Sequence, residues 1–252
     1  MMIAFKIPHQ KPLIEVTCMK KISLRQWIDW GLMALVAVLI IVTAIRYGQP
    51  IYKTLPTLIT LVVLLFQARA NRFGFLIGGI NSLLYSFSYY TDGLMFSAIS
   101  GLVISFPLQI ITFVQWSRHR ADNGITRFRH LSVKHWAVIL PLFGAAYCLC
   151  YFGLARFFNN ATFPALDIFI FVLGIVVTVL TTMRMVDAPY LNLVSCLIQL
   201  VMWILLTIQN PASFNYLIIT GYNVIRITQA AVEWTRQYRM QCEKNKKHEG
   251  TK

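Results

Sequence analysis

The chain has 252 residues, of which 57% are hydrophobic and only 13% charged, too little polar surface for a soluble domain of this length. Its 23 Lys and Arg against nine Asp and Glu leave a net charge of +14. Because the basic residues lie between apolar runs and not along one face of a soluble fold, that excess reads as membrane topology, and a nucleic-acid partner is excluded.

The first 26 residues are polar and basic, with no apolar core followed by a small-residue cleavage site, so the first apolar run is expected to act as the targeting element. Eight runs then reach the roughly 17–25 residues that a lipid-spanning helix needs. They are Trp27–Tyr47, Ile51–Ala68, Phe73–Tyr90, Leu94–Trp116, Trp136–Arg156, Leu166–Met183, Tyr190–Ile208 and Phe214–Thr235. The connectors are short and rich in turn formers: "YGQP", "ANR", "TDG", "NNATFP", "VDAP" and "QNPAS". Only Ser117–His135 is a long loop, and it carries Arg118, Arg120, Arg127, Arg129 and Lys134. With that loop in the cytoplasm, 19 Lys and Arg fall on its side of the bilayer and three, Arg46, Lys53 and Arg156, on the other. The bias predicts that both termini are cytoplasmic. Five cysteines, Cys18, Cys148, Cys150, Cys196 and Cys242, are odd in number and widely spaced, which fits packing residues better than disulfides or a metal site.

Sliding the chain by 118 residues lays Gln115-Trp116-Ser117-Arg118 on Glu233-Trp234-Thr235-Arg236, Asp92-Gly93 on Asn210-Pro211, and Phe96 on Phe214. The same shift brings Asn81 onto Gln199 and Tyr85 onto Trp203. Helices two to four then correspond to helices six to eight, and the fifth returns the chain so that both halves insert the same way round. The expected fold is an all-α polytopic membrane protein of two parallel three-helix repeats joined by one helix, with an extra helix at the N-terminus. The division is a basic arm (1–26), the extra helix (27–50), the first repeat (51–116), a basic loop (117–135), the connector helix (136–165), the second repeat (166–238) and a basic tail (239–252).

Asn81 and Tyr85 are four residues apart and share a helix face, as do Gln199 and Trp203. If the halves pack face to face, two amides and two rings converge on a site for a flat ring with hydrogen-bonding substituents. The alternative is that the amides only join helices. In the last helix Tyr222, Asn223, Arg226 and Gln229 lie well inside the apolar run, and a charge such as Arg226 is expected to face protein or water, although the sequence names no carboxylate partner for it. Gln109, two residues after Pro107, lies at a comparable depth in the first half. Gly74, Gly78 and Gly79 are expected to serve close helix contact. Trp27, Trp30, Trp116, Trp136 and Trp234 fall at the predicted membrane boundaries and are expected to be interface anchors.

All five histidines fall in arms or loops, and no acid lies in the central part of a predicted span. No group there can carry a coupling proton or sodium ion. The chain holds no Gly-x-x-x-x-Gly-Lys-Ser/Thr phosphate loop, no His-Glu-x-x-His and no Gly-x-Ser-x-Gly. A passive carrier of a small molecule, without metal or cofactor, is the simplest mechanism. An integral-membrane enzyme acting on lipid would show clustered histidines or acids at the interface. A non-transporting sensor would bind the ligand without moving it.

From about Leu55 to Arg239 the chain resembles the PnuC family of bacterial vitamin-precursor transporters. The stretches that carry the resemblance are "NRFGFLIGGINSLLYSF", the closing Trp-Ser-Arg of the first half, and "LDIFIFVLGIVVTVLTTMRMVDAPYLNLV" through "FNYLIITGYNVIR". The resemblance implies a fold similar to the sugar transporters called SWEETs, a bacterial inner-membrane location, a homotrimer, and uptake of nicotinamide riboside down its gradient, with trapping by a separate cytoplasmic kinase. Related branches carry thiamine or riboflavin, and another nucleoside is also open. Nicotinamide riboside carriers typically show Trp-x-x-Trp-x-x-x-Asn at the start of the seventh helix, where this chain has Tyr190, Leu193 and Leu197. The Asn223-x-x-Arg226 spacing is similar to one found in family members.

Overall fold

The computed structural model describes residues 24–119, 127–154 and 162–249. The basic arm up to residue 23, the middle of the long loop, the stretch that holds Arg156 and the last three residues lie outside them. Eight long helices are described: α1 (Leu24–Arg46), α2 (Ile51–Ala68), α3 (Phe73–Thr91), α4 (Met95–Arg118), α5 (Val133–Leu154), α6 (Pro164–Thr182), α7 (Ala188–Gln209) and α8 (Phe214–Glu249). Six of them, α1, α2, α4, α5, α6 and α7, are long and apolar enough to cross a membrane. Helix α3 is diluted by its serines, asparagine and tyrosines, and α8 by Asn215, Asn223, Arg226 and Gln229 within its apolar part; α8 also runs past the predicted end at Thr235.

The starts and stops follow local chemistry. Pro164 and Pro189 stand in the first turns of α6 and α7, where a missing N–H costs nothing. Gly93, at φ +74°, turns the chain between α3 and α4. Helix α4 is not regular: Ser100–Ser105 form a π-helical turn just before Phe106 and Pro107. Pro107 has no N–H with which to continue the α-ladder, and the turn before it widens. A second π-turn, Leu149–Leu154, closes α5.

Helices α2, α3, α4, α6, α7 and α8 pack in that order into a ring, which α8 closes by packing on α2. At both seams between the repeats, α4 against α6 and α8 against α2, the neighbours run in the same direction. Helix α1 lies outside the second seam, on α8 and α2, and α5 lies outside on α6. Each seam is clamped where its helices begin. Asp167 accepts from the N–H groups of Phe96 (3.0 Å) and Ser97 (3.2 Å) and from the Ser97 hydroxyl. At the other seam Gln49 donates to the Ala212 carbonyl and accepts from the Asn215 amide. Asp167 is Gln49, and Ser97 is Asn215, under the 118-residue shift.

At the far end of the ring, the face carrying the basic loop, Trp116 and Trp234 meet with ring centroids 5.2 Å apart. Both are buried, so these two are not interface anchors; they close the inside of the bundle. Phe128, from the loop, packs on both at 5.8 and 5.2 Å. It is held there by backbone pairing of Arg129 with Arg184 and Val186, and by Leu131 N–H to Asp187 at 2.8 Å. Trp27 and Trp30 are exposed.

Candidate functional site

Inside the ring is a cavity of ≈ 270 Å³, just below the roughly 300–1,000 Å³ of small-molecule pockets. Helices α2, α3, α4, α6 and α7 line it, and α8 contributes nothing to its wall. The cavity therefore sits off the pseudo-twofold axis, toward the first repeat. The seal of Trp116, Trp234 and Phe128 lies on its basic-face side. On the other side Tyr85 and Tyr89 stack at 5.2 Å, Trp203 and Tyr216 stack at 4.4 Å, and Tyr89 lies 6.0 Å from Trp203.

Five of the residues singled out from sequence meet at this wall: Asn81, Tyr85, Gln109, Gln199 and Trp203. Asn81 has two jobs. Its Nδ2 donates to the Pro56 carbonyl (3.0 Å) and to Thr60 Oγ1 (2.8 Å), joining α3 to α2. Its Oδ1 is buried without a partner among the described residues, and so is Oε1 of Gln109. A buried, unpaired carbonyl costs about 1–3 kcal/mol, so these are the two acceptors on the cavity wall with bonding capacity to spare. The Tyr85 hydroxyl accepts from Thr60 Oγ1 at 3.0 Å.

The four other predicted residues lie elsewhere. Tyr190 is half exposed and its hydroxyl meets Thr235 Oγ1 at 2.9 Å. Asn223 donates to Cys196 Sγ at 3.0 Å, holding α8 to α7. Tyr222 packs in the cluster between α1, α2 and α8, with the Arg226 guanidinium 4.8 Å from its ring centre. Arg226 does have a carboxylate partner, Asp29 of α1, 197 residues away in sequence. It also donates to the Asp29 carbonyl (3.0 Å) and Gln229 Oε1 (2.7 Å), while Arg69 takes the other Asp29 oxygen at 2.9 Å. One buried carboxylate between two guanidiniums ties α1 to α8 and α2.

Sequence reasoning missed several residues of the wall: Thr60, Gln67, Tyr89, Ser97, Ser100 and Ser105. Tyr89 was within reach, four residues after Tyr85 on the same face. Ser100 and Ser105 are five apart, a spacing that reads as two faces of an α-helix and comes together only in the π-turn; Pro107 was the available signal. Gly78 lies where a Cβ would overlap Gln109, and a Cβ on Gly79 would meet Ile110 Cδ1 at 3.3 Å, so both serve close packing, as expected. The wall holds no Lys, Arg, His, Asp or Glu among the described residues.

A polytopic helical bundle with an uncharged, polar and aromatic cavity inside its ring is the architecture of a membrane transporter. The family model for nicotinamide mononucleotide transporters matches residues 50–236, and the chain belongs to that family. The solved structure titled "Crystal structure of the Vitamin B3 transporter PnuC" superposes with a TM-score of 0.73 at 17% identity, over 86% of this chain and 99% of that one. No curated protein matches the chain.

Proposed function

We propose that this transporter carries nicotinamide riboside across the bacterial inner membrane by facilitated diffusion, its basic face and both termini being cytoplasmic. The observation that carries the reading is the chemistry of the cavity wall: two unpaired carbonyl acceptors, Asn81 Oδ1 and Gln109 Oε1, in a cavity that also presents Tyr85, Tyr89 and Trp203 and no charged side chain. Ribose hydroxyls and the carboxamide of nicotinamide riboside supply donors, and its pyridinium suits aromatic faces, where a desolvated cation gains on the order of 2 kcal/mol. A phosphate has no such fit. Without Lys or Arg on the wall its desolvation, several kcal/mol per ion, has no compensation, so the nucleoside is favoured over the mononucleotide for which the family is named. Phosphorylation by a separate cytoplasmic kinase then makes the flux one-way.

Thermal-shift measurements on purified protein with nicotinamide riboside, nicotinamide mononucleotide, thiamine and riboflavin test the substrate. Ligand at 100 times Kd stabilises by about 2.7 kcal/mol, and nicotinamide riboside is expected to give that shift while the mononucleotide gives none. A larger shift with the mononucleotide sinks the reading. In vesicles, uptake should equilibrate without accumulation and be unchanged when proton and sodium gradients are collapsed, since among the described residues no carboxylate or imidazole lines the cavity.

A further inference from the structure

Gly174 stands in the middle of α6, and the usual reasons for a mid-helix glycine do not apply to it. Glycine there costs about 1 kcal/mol relative to alanine, so it normally marks a positive φ or a neighbour pressed close. Gly174 is not among the positive-φ residues, and a Cβ built on it meets nothing within 4 Å. The first repeat behaves in the opposite way: a Cβ at Gly74 would lie 2.9 Å from Gln67 Cγ, and one at Gly101 would overlap Ser86 and come within 2.8 Å of the Ser82 carbonyl. The helical glycines Gly31, Gly144 and Gly221 also face open space, but none of them lines the cavity. The space before Gly174 is the cavity itself. Ile170 and Phe171, with Gly174 one turn further along the same side of α6, all line it. Thr178 Oγ1 donates to the Gly174 carbonyl at 2.7 Å, so the helix runs on without a break.

We propose that Gly174 is a specificity-determining residue: its missing side chain sets how bulky a nucleoside the second-repeat wall admits. The inference rests on the reading of the cavity as a nucleoside site and deepens it. Atoms added at this position displace ligand and not protein, so their cost falls on binding and leaves folding untouched.

The test uses full-length Gly174→Ala and Gly174→Val, with Gly74→Ala, outside the cavity wall, as a packing control, and measures ligand-free melting temperature and affinity for nicotinamide riboside, thiamine and riboflavin. One methylene's worth of lost room in a pocket changes discrimination by roughly 10–200-fold. Nicotinamide riboside affinity should therefore fall about 10-fold in Gly174→Ala and 100-fold or more in Gly174→Val, with melting temperatures no lower than wild type. Gly74→Ala should melt lower. Unchanged affinity in both Gly174 variants overturns the proposal, and so does a lowered melting temperature in Gly174→Ala, which makes the glycine a packing residue. If wild type binds thiamine or riboflavin instead, the nicotinamide riboside reading falls. A graded loss of that ligand then still supports the wall, and its full retention still overturns it.

Discussion

The two repeats share a frame and differ in what they present to the cavity. Trp116 faces Trp234 at one end, and the Asp167–Ser97 clamp answers the Gln49–Asn215 clamp at the other, each pair related by the same 118-residue shift. Between these fixed ends the walls diverge. The first repeat offers Asn81, Gln109 and the serines of a π-turn, while the second offers Phe171, Gly174, Met202 and Trp203, with Gln199 as its amide. Even the helix breakers took different roles. Gly174 opens the wall, but its counterpart Pro56 leaves the Tyr52 carbonyl without its helical donor, and Ser88 Oγ takes it at 2.7 Å. A duplicated scaffold thus keeps its clamps and closure paired while the walls of the cavity become one-sided.

That contrast is tested most severely at α8, which belongs to the frame and not to the wall. Asp29→Leu leaves Arg226 buried without its carboxylate and should cost about 3–5 kcal/mol, read as a large fall in melting temperature, while Asp29→Leu with Arg226→Leu should cost less than Asp29→Leu alone. Nicotinamide riboside affinity of the folded double variant should stay within a few-fold of wild type. Lost affinity in a well-folded double variant would return Arg226 to the site.

The paired clamps come next. Asp167→Ala removes three bonds to a buried carboxylate and should destabilise by about 3 kcal/mol, against about 1 kcal/mol for Gln49→Ala, whose bonds are neutral. Equal losses would mean that the seams carry equal load despite their different chemistry.

The smallest effect separates the two amides. Asn81→Leu and Gln199→Leu should each weaken binding by about 0.5–1.5 kcal/mol, a few-fold to tenfold, but only Asn81→Leu should also lower the ligand-free melting temperature, because Asn81 alone is seen bonded across helices. Matching behaviour of the two would erase the distinction between the walls on which the comparison rests.

The fold was legible because hydropathy, charge bias and an internal shift are each carried by many residues at once. The site was legible in part. A four-residue spacing on a regular helix located Asn81 with Tyr85 and Gln199 with Trp203, but no spacing rule reaches Ser100 and Ser105 across a π-turn. Nor does any local pattern pair Arg226 with Asp29, since the partners sit in the first and last helices and meet only when the ring closes. Trp116 and Trp234 show a further limit: a tryptophan at the end of an apolar run looks the same in sequence whether it faces lipid or the bundle axis, and only packing decides.

The aromatic contact of Trp116 with Trp234 also gives the molecule an optical reporter of its own. Of its six tryptophans, these two lie in contact where the ends of the two repeats meet on the basic face, with Phe128 against both. A conformational change that separated these two buried rings would expose them to an aqueous quencher, so the intrinsic tryptophan fluorescence of the unlabelled protein, with and without substrate, tests whether this end moves.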